Sequence, residues 1–308
     1  MSANRRSFLL IGAALAASIT LAGCGGGTPA GDGVSSSGTI AVVASTNVYG
    51  DIAKSIGGDH VDVHTIISDP NADPHGYEAN AQDKLAVSKA QIGIENGGGY
   101  DDFFTQLAKG QLESAEVINV STLSGLDTAA DFNEHVWYSL PTMVKLADDL
   151  AARFSAELPA QSAAFTQQAD AFKVQIGAMS SRLAALKTKH NGAGAAVTEP
   201  VPLYLLAEAG LVNKTPEKFT SAVENGADVP ASTLTEVLGV MDSGTIAVLA
   251  YNTQTQSPQT EKVKTAALNA GVPVVDFAET LPADTSYLAW MLGNVSNLEQ
   301  GLNAAAGK

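Results

Sequence analysis

The sequence predicts an α/β protein with two α/β lobes, each built on a central parallel sheet, joined by one long rigid helix. Short β-rich runs alternate with helical stretches in residues 39–158, a pattern typical of parallel α/β sheets. Residues 159–191 then have helical periodicity and few breaking residues, and the alternation resumes in residues 192–308. We therefore expect a first lobe, a linker helix and a second lobe over these three ranges.

The first 23 residues have the pattern of an export signal. Residues 1–6 carry two arginines and no acid, and residues 7–21 are almost wholly apolar. Leu21-Ala22-Gly23 then provides a small-residue processing site. The apolar run is too short for a comfortable membrane span, which needs about 20 residues. We predict that residues 1–23 are a signal peptide.

Cys24 is the only cysteine, so it cannot form an intrachain disulfide. The sequence Leu21-Ala22-Gly23-Cys24 resembles a bacterial lipobox, which implies that Cys24 is lipidated and becomes the mature N-terminus. Several acyl groups on one residue anchor a protein stably to a membrane. Residues 24–38 would then form a Gly- and Ser-rich tether on the extracytoplasmic face. Arg5-Arg6 leaves export by the general or the twin-arginine route open.

The charge balance makes nucleic acid an improbable partner. The chain has 17 basic and 32 acidic residues, a net charge of −15, and its long-range field repels polyanions. The same field favours the approach of cations, although solubility alone can explain it. Hydrophobic residues make up 45% of the chain, enough for a substantial core. Residues after the signal contain no apolar run of transmembrane length, so the body should remain outside the bilayer.

The first lobe is predicted from four short strands separated by helices. The strands are expected at residues 39–45, 61–67, 91–94 and 115–120, and the helices at residues 47–56, 80–90, 100–107 and 141–158. Alternation of apolar and polar residues indicates the second strand, and Gly57-Gly58 ends the first helix.

The linker helix is predicted from one apolar stripe. The stripe recurs at spacings of three and four residues and comprises Phe165, Phe172, Ile176, Met179, Leu183 and Leu186. A helix of this length would span roughly 45 Å, which suits a rigid connector lying along both lobes.

The second lobe repeats the alternation after residues 191–194 break the helix. Strands are expected at residues 195–198, 245–250 and 272–275, and helices at residues 201–209, 233–241, 258–270 and 287–305.

Two of the five histidines stand where α/β proteins place ligand sites. His75 lies in a loop rich in proline and glycine, just past the strand that ends at Ile67. His135 precedes the helix of residues 141–158, and Trp137 beside it is suited to excluding water. Either residue could instead be a surface histidine, and His135 a helix cap. The other three, His60, His64 and His190, are interpreted as structural or solvent-facing.

Carboxylates would have to complete any metal site in the body. Two histidines without cysteines are too few for a closed zinc site. Glu199 follows the strand of residues 195–198, and Asp276 and Glu279 follow the strand of residues 272–275. By spacing alone, each of these acids could equally be a solvated surface residue.

These residues together resemble the cluster-9 metal-binding solute-binding proteins, the ZnuA-like and PsaA-like lipoproteins of zinc and manganese ABC importers. The resemblance covers the body from Thr39 onward. It is most specific in four blocks, residues 73–78, 135–137, 198–205 and 279–282. It implies two α/β lobes on a long helix, with the metal between the lobes.

The resemblance implies a ligand set of His75, His135, Glu199 and Glu279, with Asp276 as an alternative for the fourth position. Zinc-specific members usually have histidine at the third position, whereas manganese-type members often have glutamate. The chain departs from many zinc importers in lacking a His-rich acidic loop between the two histidines. The implied cargo is Zn²⁺ or Mn²⁺, and binding should weaken below about pH 6.5, where imidazoles become protonated.

The implied partner is an ABC importer permease, and the implied state is a lipid-anchored monomer that is not an enzyme. A surface zinc hydrolase is disfavoured because four protein ligands leave no position for substrate. A solute-binding protein for a siderophore or cobalamin would share the plan but would not need these histidines. A metal-binding surface adhesin is a further alternative.

Overall fold

The computed structural model describes residues 38–70, 72, 74, 76–129 and 132–306. The predicted signal peptide, Cys24 and His75 lie outside the described residues. No helix in the described part of the chain has the length and apolar character needed to span a bilayer.

The first lobe contains one sheet of four parallel strands in the order β2-β1-β3-β4. Its strands are β1 (Ile40–Thr46), β2 (Val61–Ile67), β3 (Ile92–Glu95) and β4 (Val117–Asn119). Its helices are α1 (Asn47–Gly57), α2 (Ala81–Val87), α3 (Asp102–Ala108), α4 (Val120–Ser124) and α5 (Leu140–Glu157). Buried β-branched and aliphatic side chains fill the central strand β1 on both faces, as expected where helices cover both sides of a sheet.

The second lobe contains a second sheet of four parallel strands in the order β6-β5-β7-β8. Its strands are β5 (Gly194–Val197), β6 (Val212–Asn213), β7 (Ile246–Asn252) and β8 (Val274–Phe277). Its helices are α7 (Leu203–Glu208), α8 (Glu217–Glu224), α9 (Ala231–Asp242), α10 (Pro258–Asn269) and α11 (Tyr287–Ala306). The predicted fold class is confirmed by these two parallel sheets and by the helix that joins them.

The joining helix α6 (Ser162–His190) has 29 residues and follows a 3₁₀ turn at Pro159–Gln161. All six residues of the predicted apolar stripe are buried. The helix packs against α1 and α5 of the first lobe and against α7 and α11 of the second. Its buried stripe therefore holds both lobes along one rigid element.

Some short elements were absent from the sequence prediction. They are α4, β6 and α8. The segment that contains β6 and α8 is rich in polar residues, and α8 buries only Phe219, Thr220 and Val223. A stripe of three residues on a helix of eight gives too short a periodic signal to stand out.

The largest of the three hydrophobic clusters in the described residues spans both lobes. A continuous cluster of buried side chains includes Val42 and Ile94 of the first sheet together with Val197 and Ala250 of the second. Two buried tyrosines add hydrogen bonds to backbone carbonyls across the interface: Tyr138 Oη donates to Ala278 O, and Tyr287 Oη donates to Trp137 O, both at 2.7 Å. This interface favours small relative movements of the lobes over wide opening.

Candidate metal centre

His135 is held in one orientation by its neighbour Asn133. It follows a loop of the first lobe and is 1% exposed. Its Nδ1 lies 2.7 Å from Asn133 Oδ1, and Asn133 Nδ2 donates to Pro200 O at 2.9 Å in the second lobe. Because the amide nitrogen is used in that second bond, Oδ1 is the acceptor and Nδ1 must carry the proton. The neutral ring therefore has its lone pair on Nε2, the arrangement found in histidines that bind metals.

Aromatic rings enclose His135. The ring centroids of Tyr100 and Trp137 lie 5.9 Å and 5.1 Å from that of His135, and both side chains are buried. They keep bulk water from this side of the imidazole and restrict its rotation. The expectation that Trp137 packs beside His135 is confirmed.

Glu199 and Glu279 lie together at the carboxyl-terminal edge of the second sheet. They follow β5 and β8 and are 3% and 5% exposed. Asn252, the last residue of β7, donates through Nδ2 to Glu279 Oε1 at 2.8 Å and also to Glu199 Oε2. Parallel strands end at the same edge of a sheet. The neighbouring ends of β5, β7 and β8 therefore place both carboxylates beside the Asn252 amide.

Further hydroxyl groups orient the two carboxylates. Thr255 Oγ1 donates to Glu199 Oε2. Tyr100 Oη, from the first lobe, donates to Glu279 Oε2 at 3.4 Å. Since Tyr100 also packs on His135, one first-lobe side chain links the imidazole to a second-lobe carboxylate.

The structure separates the alternatives for the fourth predicted ligand. Asp276 lies within β8 with an exposed side chain, whereas Glu279 lies beyond the strand end and is buried beside Glu199. Proximity to Glu199 therefore favours Glu279.

The loop that contains His75 begins against the second lobe. Pro70 O accepts from Gln254 Nε2 and from Thr280 Oγ1, each at 2.7 Å. Gln254 also accepts from the backbone N–H of Glu279. Thus the described start of this loop is tied to the segment that carries one of the buried carboxylates.

The three remaining histidines lie elsewhere. His64 is exposed on β2, His60 packs edge-on against Phe165 at a centroid distance of 5.7 Å, and His190 is the last residue of α6. These positions agree with their interpretation as structural or solvent-facing residues.

Two acids near His135 were not anticipated. One potential ligand atom from each of Glu134, His135 and Glu224 lies within 4.8 Å of the others. Burial, followed by the nearby charges of Glu134 and Glu199, raises the pKa of Glu224 to about 8. Glu199 and Glu279 do not belong to this close group. Glu134 directly precedes a suspected ligand, which is a usable signal, but Glu224 lies on a helix that the sequence analysis did not detect.

Two parallel α/β lobes on a long helix, with buried polar side chains from both lobes meeting between them, define a solute-binding protein. Residues 42–301 match the family described as ZnuA, zinc-uptake complex component A, periplasmic. The chain belongs to this family.

Named relatives agree with the family. The chain is 32% identical to the manganese-binding lipoprotein MntA of Bacillus subtilis over 54% of its own length and 55% of that protein, about half of the relative. It is 23% identical to the iron ABC transporter substrate-binding lipoprotein MtsA of Streptococcus pyogenes serotype M1, over 97% and 99% of the two chains.

A solved structure supports the fold. The periplasmic zinc-binding protein TroA from Treponema pallidum has 18% identity and a TM-score of 0.71, with 86% of this chain and 99% of that chain covered. At this identity the likeness concerns the fold alone.

Proposed function

We propose that this chain is the extracytoplasmic solute-binding lipoprotein of an ABC importer and captures a divalent transition-metal ion between its lobes. The observation that carries the proposal is the pair of buried carboxylates, Glu199 and Glu279, joined by Asn252 and linked through Tyr100 to the oriented imidazole of His135. Burying two carboxylates is costly unless a cation or strong donors compensate them. The names of the relatives, which include manganese-binding and iron-transport lipoproteins, support metal as the solute.

The proposed ligands are His75, His135, Glu199 and Glu279. Two neutral imidazoles and two carboxylates cancel the charge of a divalent ion, so the loaded site can remain buried. Carboxylate in place of a third histidine shifts the preference toward Mn²⁺, although the general affinity order still favours Zn²⁺. The names of a manganese-binding relative and a zinc-binding neighbour support Mn²⁺ and Zn²⁺ as the proposed cargoes, and a further relative is named for iron. The family match favours a metal ion over a siderophore or cobalamin.

Metal analysis with one pair of matched variants tests the site. Glu279→Gln should weaken Zn²⁺ and Mn²⁺ binding by roughly 100-fold or more, since losing even an outer partner of a ligand costs about 10–100-fold. Asp276→Asn, three residues earlier and exposed, is the matched control and should bind like the wild type. Elemental analysis of purified protein, followed by Zn²⁺/Mn²⁺ competition titrations, provides the measurement. Normal binding by the Glu279 variant would refute its role as a ligand.

Attachment to the membrane is proposed through acylation of Cys24, with the permease of an ABC importer as the partner and a monomer as the working form. Cys24→Ser should remove the acyl mass from the exported protein, because serine has no thiol to carry the acyl anchor. Cell fractionation and intact mass of the mature protein measure this directly. Acyl mass retained by the serine variant would rule out this anchor.

A further inference from the structure

Glu134, His135 and Glu224 form a compact group at the edge of the proposed centre. Their potential ligand atoms lie within 4.8 Å of one another, so one cation could contact all three residues. Glu134 and His135 belong to the first lobe, whereas Glu224 is the last residue of α8 in the second. The backbone of Glu134 is held by Asn96, whose Nδ2 donates to Glu134 O at 2.9 Å.

A cavity of about 450 Å³ leads to the two acids. Four glycines, Glu134, Glu224 and Asn225 line it; the glycines are Gly76, Gly98, Gly99 and Gly226. Gly98 and Gly99 have φ of 68° and 95°, a conformation that side-chain-bearing residues rarely adopt. The rim therefore stays free of bulky described side chains, and the two carboxyl groups are the charged groups among the described residues that line the cavity.

Within the described part of the chain, Glu134 and Glu224 have no basic side chain as a partner, since no lysine or arginine forms an ion pair with either of them. The Oε1 atom of Glu224 is buried and makes no hydrogen bond within the described chain. Buried polar atoms usually have a partner, and two carboxyl groups that face each other without a cation do not both ionise readily. A cation bound between them would supply the missing partner to both.

We propose that Glu134, His135 and Glu224 form an outer cation position, occupied by a divalent transition-metal ion on its way to and from the inner carboxylates Glu199 and Glu279. The inference rests on the proposed function, because His135 is shared by the two positions. A shared imidazole lets the ion exchange carboxylate ligands one at a time, without losing all protein contacts. Since the two acids come from different lobes, an ion at this position also draws the lobes together.

Rapid-mixing kinetics with Zn²⁺ and Mn²⁺ test the outer position. Glu224→Gln should slow both association and dissociation by about tenfold and leave the equilibrium affinity within about threefold, because the inner ligands are intact. Glu217→Gln makes the same acid-to-amide exchange at an exposed position on the same helix and should keep wild-type rates. Equal slowing in both variants would mean general electrostatic attraction and would overturn the proposal, as would wild-type kinetics of the Glu224 variant.

A second measurement separates the two positions. In the full chain carrying Glu199→Gln and Glu279→Gln, we expect weakened residual binding that falls by a further factor of about ten when Glu224→Gln is added. Circular dichroism checks that each variant is folded. Residual binding indifferent to Glu224, or no residual binding in the folded double variant, would overturn the outer position. Wild-type affinity of the double variant would instead contradict the inner centre, so the two failures are distinguishable.

Discussion

The two sides of the cleft position their polar side chains in different ways. In the second lobe, Glu199, Asn252 and Glu279 follow or end three strands of one sheet and are hydrogen-bonded mainly to one another. In the first lobe, His135 precedes a 3₁₀ turn, and its orienting partner Asn133 is itself anchored across the interface on Pro200 O. The carboxylate side is thus organised within one lobe, whereas the imidazole side depends on the contact between lobes.

Because only the imidazole side depends on the interface, a bound metal could couple the site to the contact between the lobes. A carboxylate pair fixed by its own sheet can receive the ion before the small movement that brings the lobes fully together. The imidazole reaches its working orientation only when the lobes are in contact. Metal binding and lobe contact should therefore stabilise each other, as linked equilibria require. The shared core and long helix limit this coupling to small adjustments.

The largest effect is expected from breaking the carboxylate side. Asn252→Ala removes the amide that donates to both Glu199 and Glu279. Without this shared donor, the repulsion between the two buried carboxylates is less compensated. We expect metal affinity to fall by roughly 10–100-fold, the usual range for an outer partner of ligands. Asn269→Ala, an exposed asparagine of α10 in the same lobe, is the control for calorimetric titration with Zn²⁺ and Mn²⁺. Unchanged affinity would mean that the amide does not organise this side.

An intermediate effect is expected from the imidazole side. Asn133→Ala removes the acceptor for His135 Nδ1 and should weaken metal binding by about tenfold, because the ring loses its fixed tautomer and orientation. Asn133→Asp retains an acceptor for Nδ1 but loses the bond to Pro200 O. If orientation is what matters, the aspartate variant restores most of the affinity. If the interlobe bond matters more, the two variants bind equally poorly, and the proposed role of the tautomer is wrong.

The smallest effect is expected from a contact between the lobes that lies outside the ligand set. Tyr204 Oη donates to Asn133 O at 2.7 Å, so Tyr204→Phe deletes one interlobe hydrogen bond. The free energy of unfolding of the metal-free protein should fall by about 1 kcal/mol, the typical net value of a hydrogen bond. Urea denaturation with and without metal measures the loss. A metal affinity reduced as strongly as in Asn133→Ala would show that the two sides are less separate than described.

Much of the fold could be predicted from sequence because its signals are local and repeated. The apolar stripe of α6 continues over many turns, the strands β1 and β2 are rich in β-branched residues, and β7 is almost wholly apolar. β6 and α8 were missed because two strand residues and a short, mostly polar helix carry little periodic signal. These elements acquire their structure from tertiary packing, which a single sequence does not display.

The residues of the proposed site also differ in how far the sequence alone predicts them. His135, Glu199 and Glu279 could be suspected because their residue types and positions after strands suit metal ligands, and the family resemblance selected them. Asn133 and Asn252 could not, since an asparagine in a loop or at a strand end is ordinary until its partners are known. Glu224 is further removed from prediction, because its proximity to His135 depends on how α8 packs in the second lobe.

Anomalous scattering from crystals of the metal-loaded protein, collected at the absorption edge of the bound ion, shows whether side chains of both lobes bind one ion. We expect one strong peak within coordinating distance, about 2.0–2.2 Å for zinc, of an imidazole nitrogen of His135 and of carboxylate oxygens of Glu199 and Glu279 together. A peak that contacts residues of one lobe only, or that lies remote from His135, would contradict it.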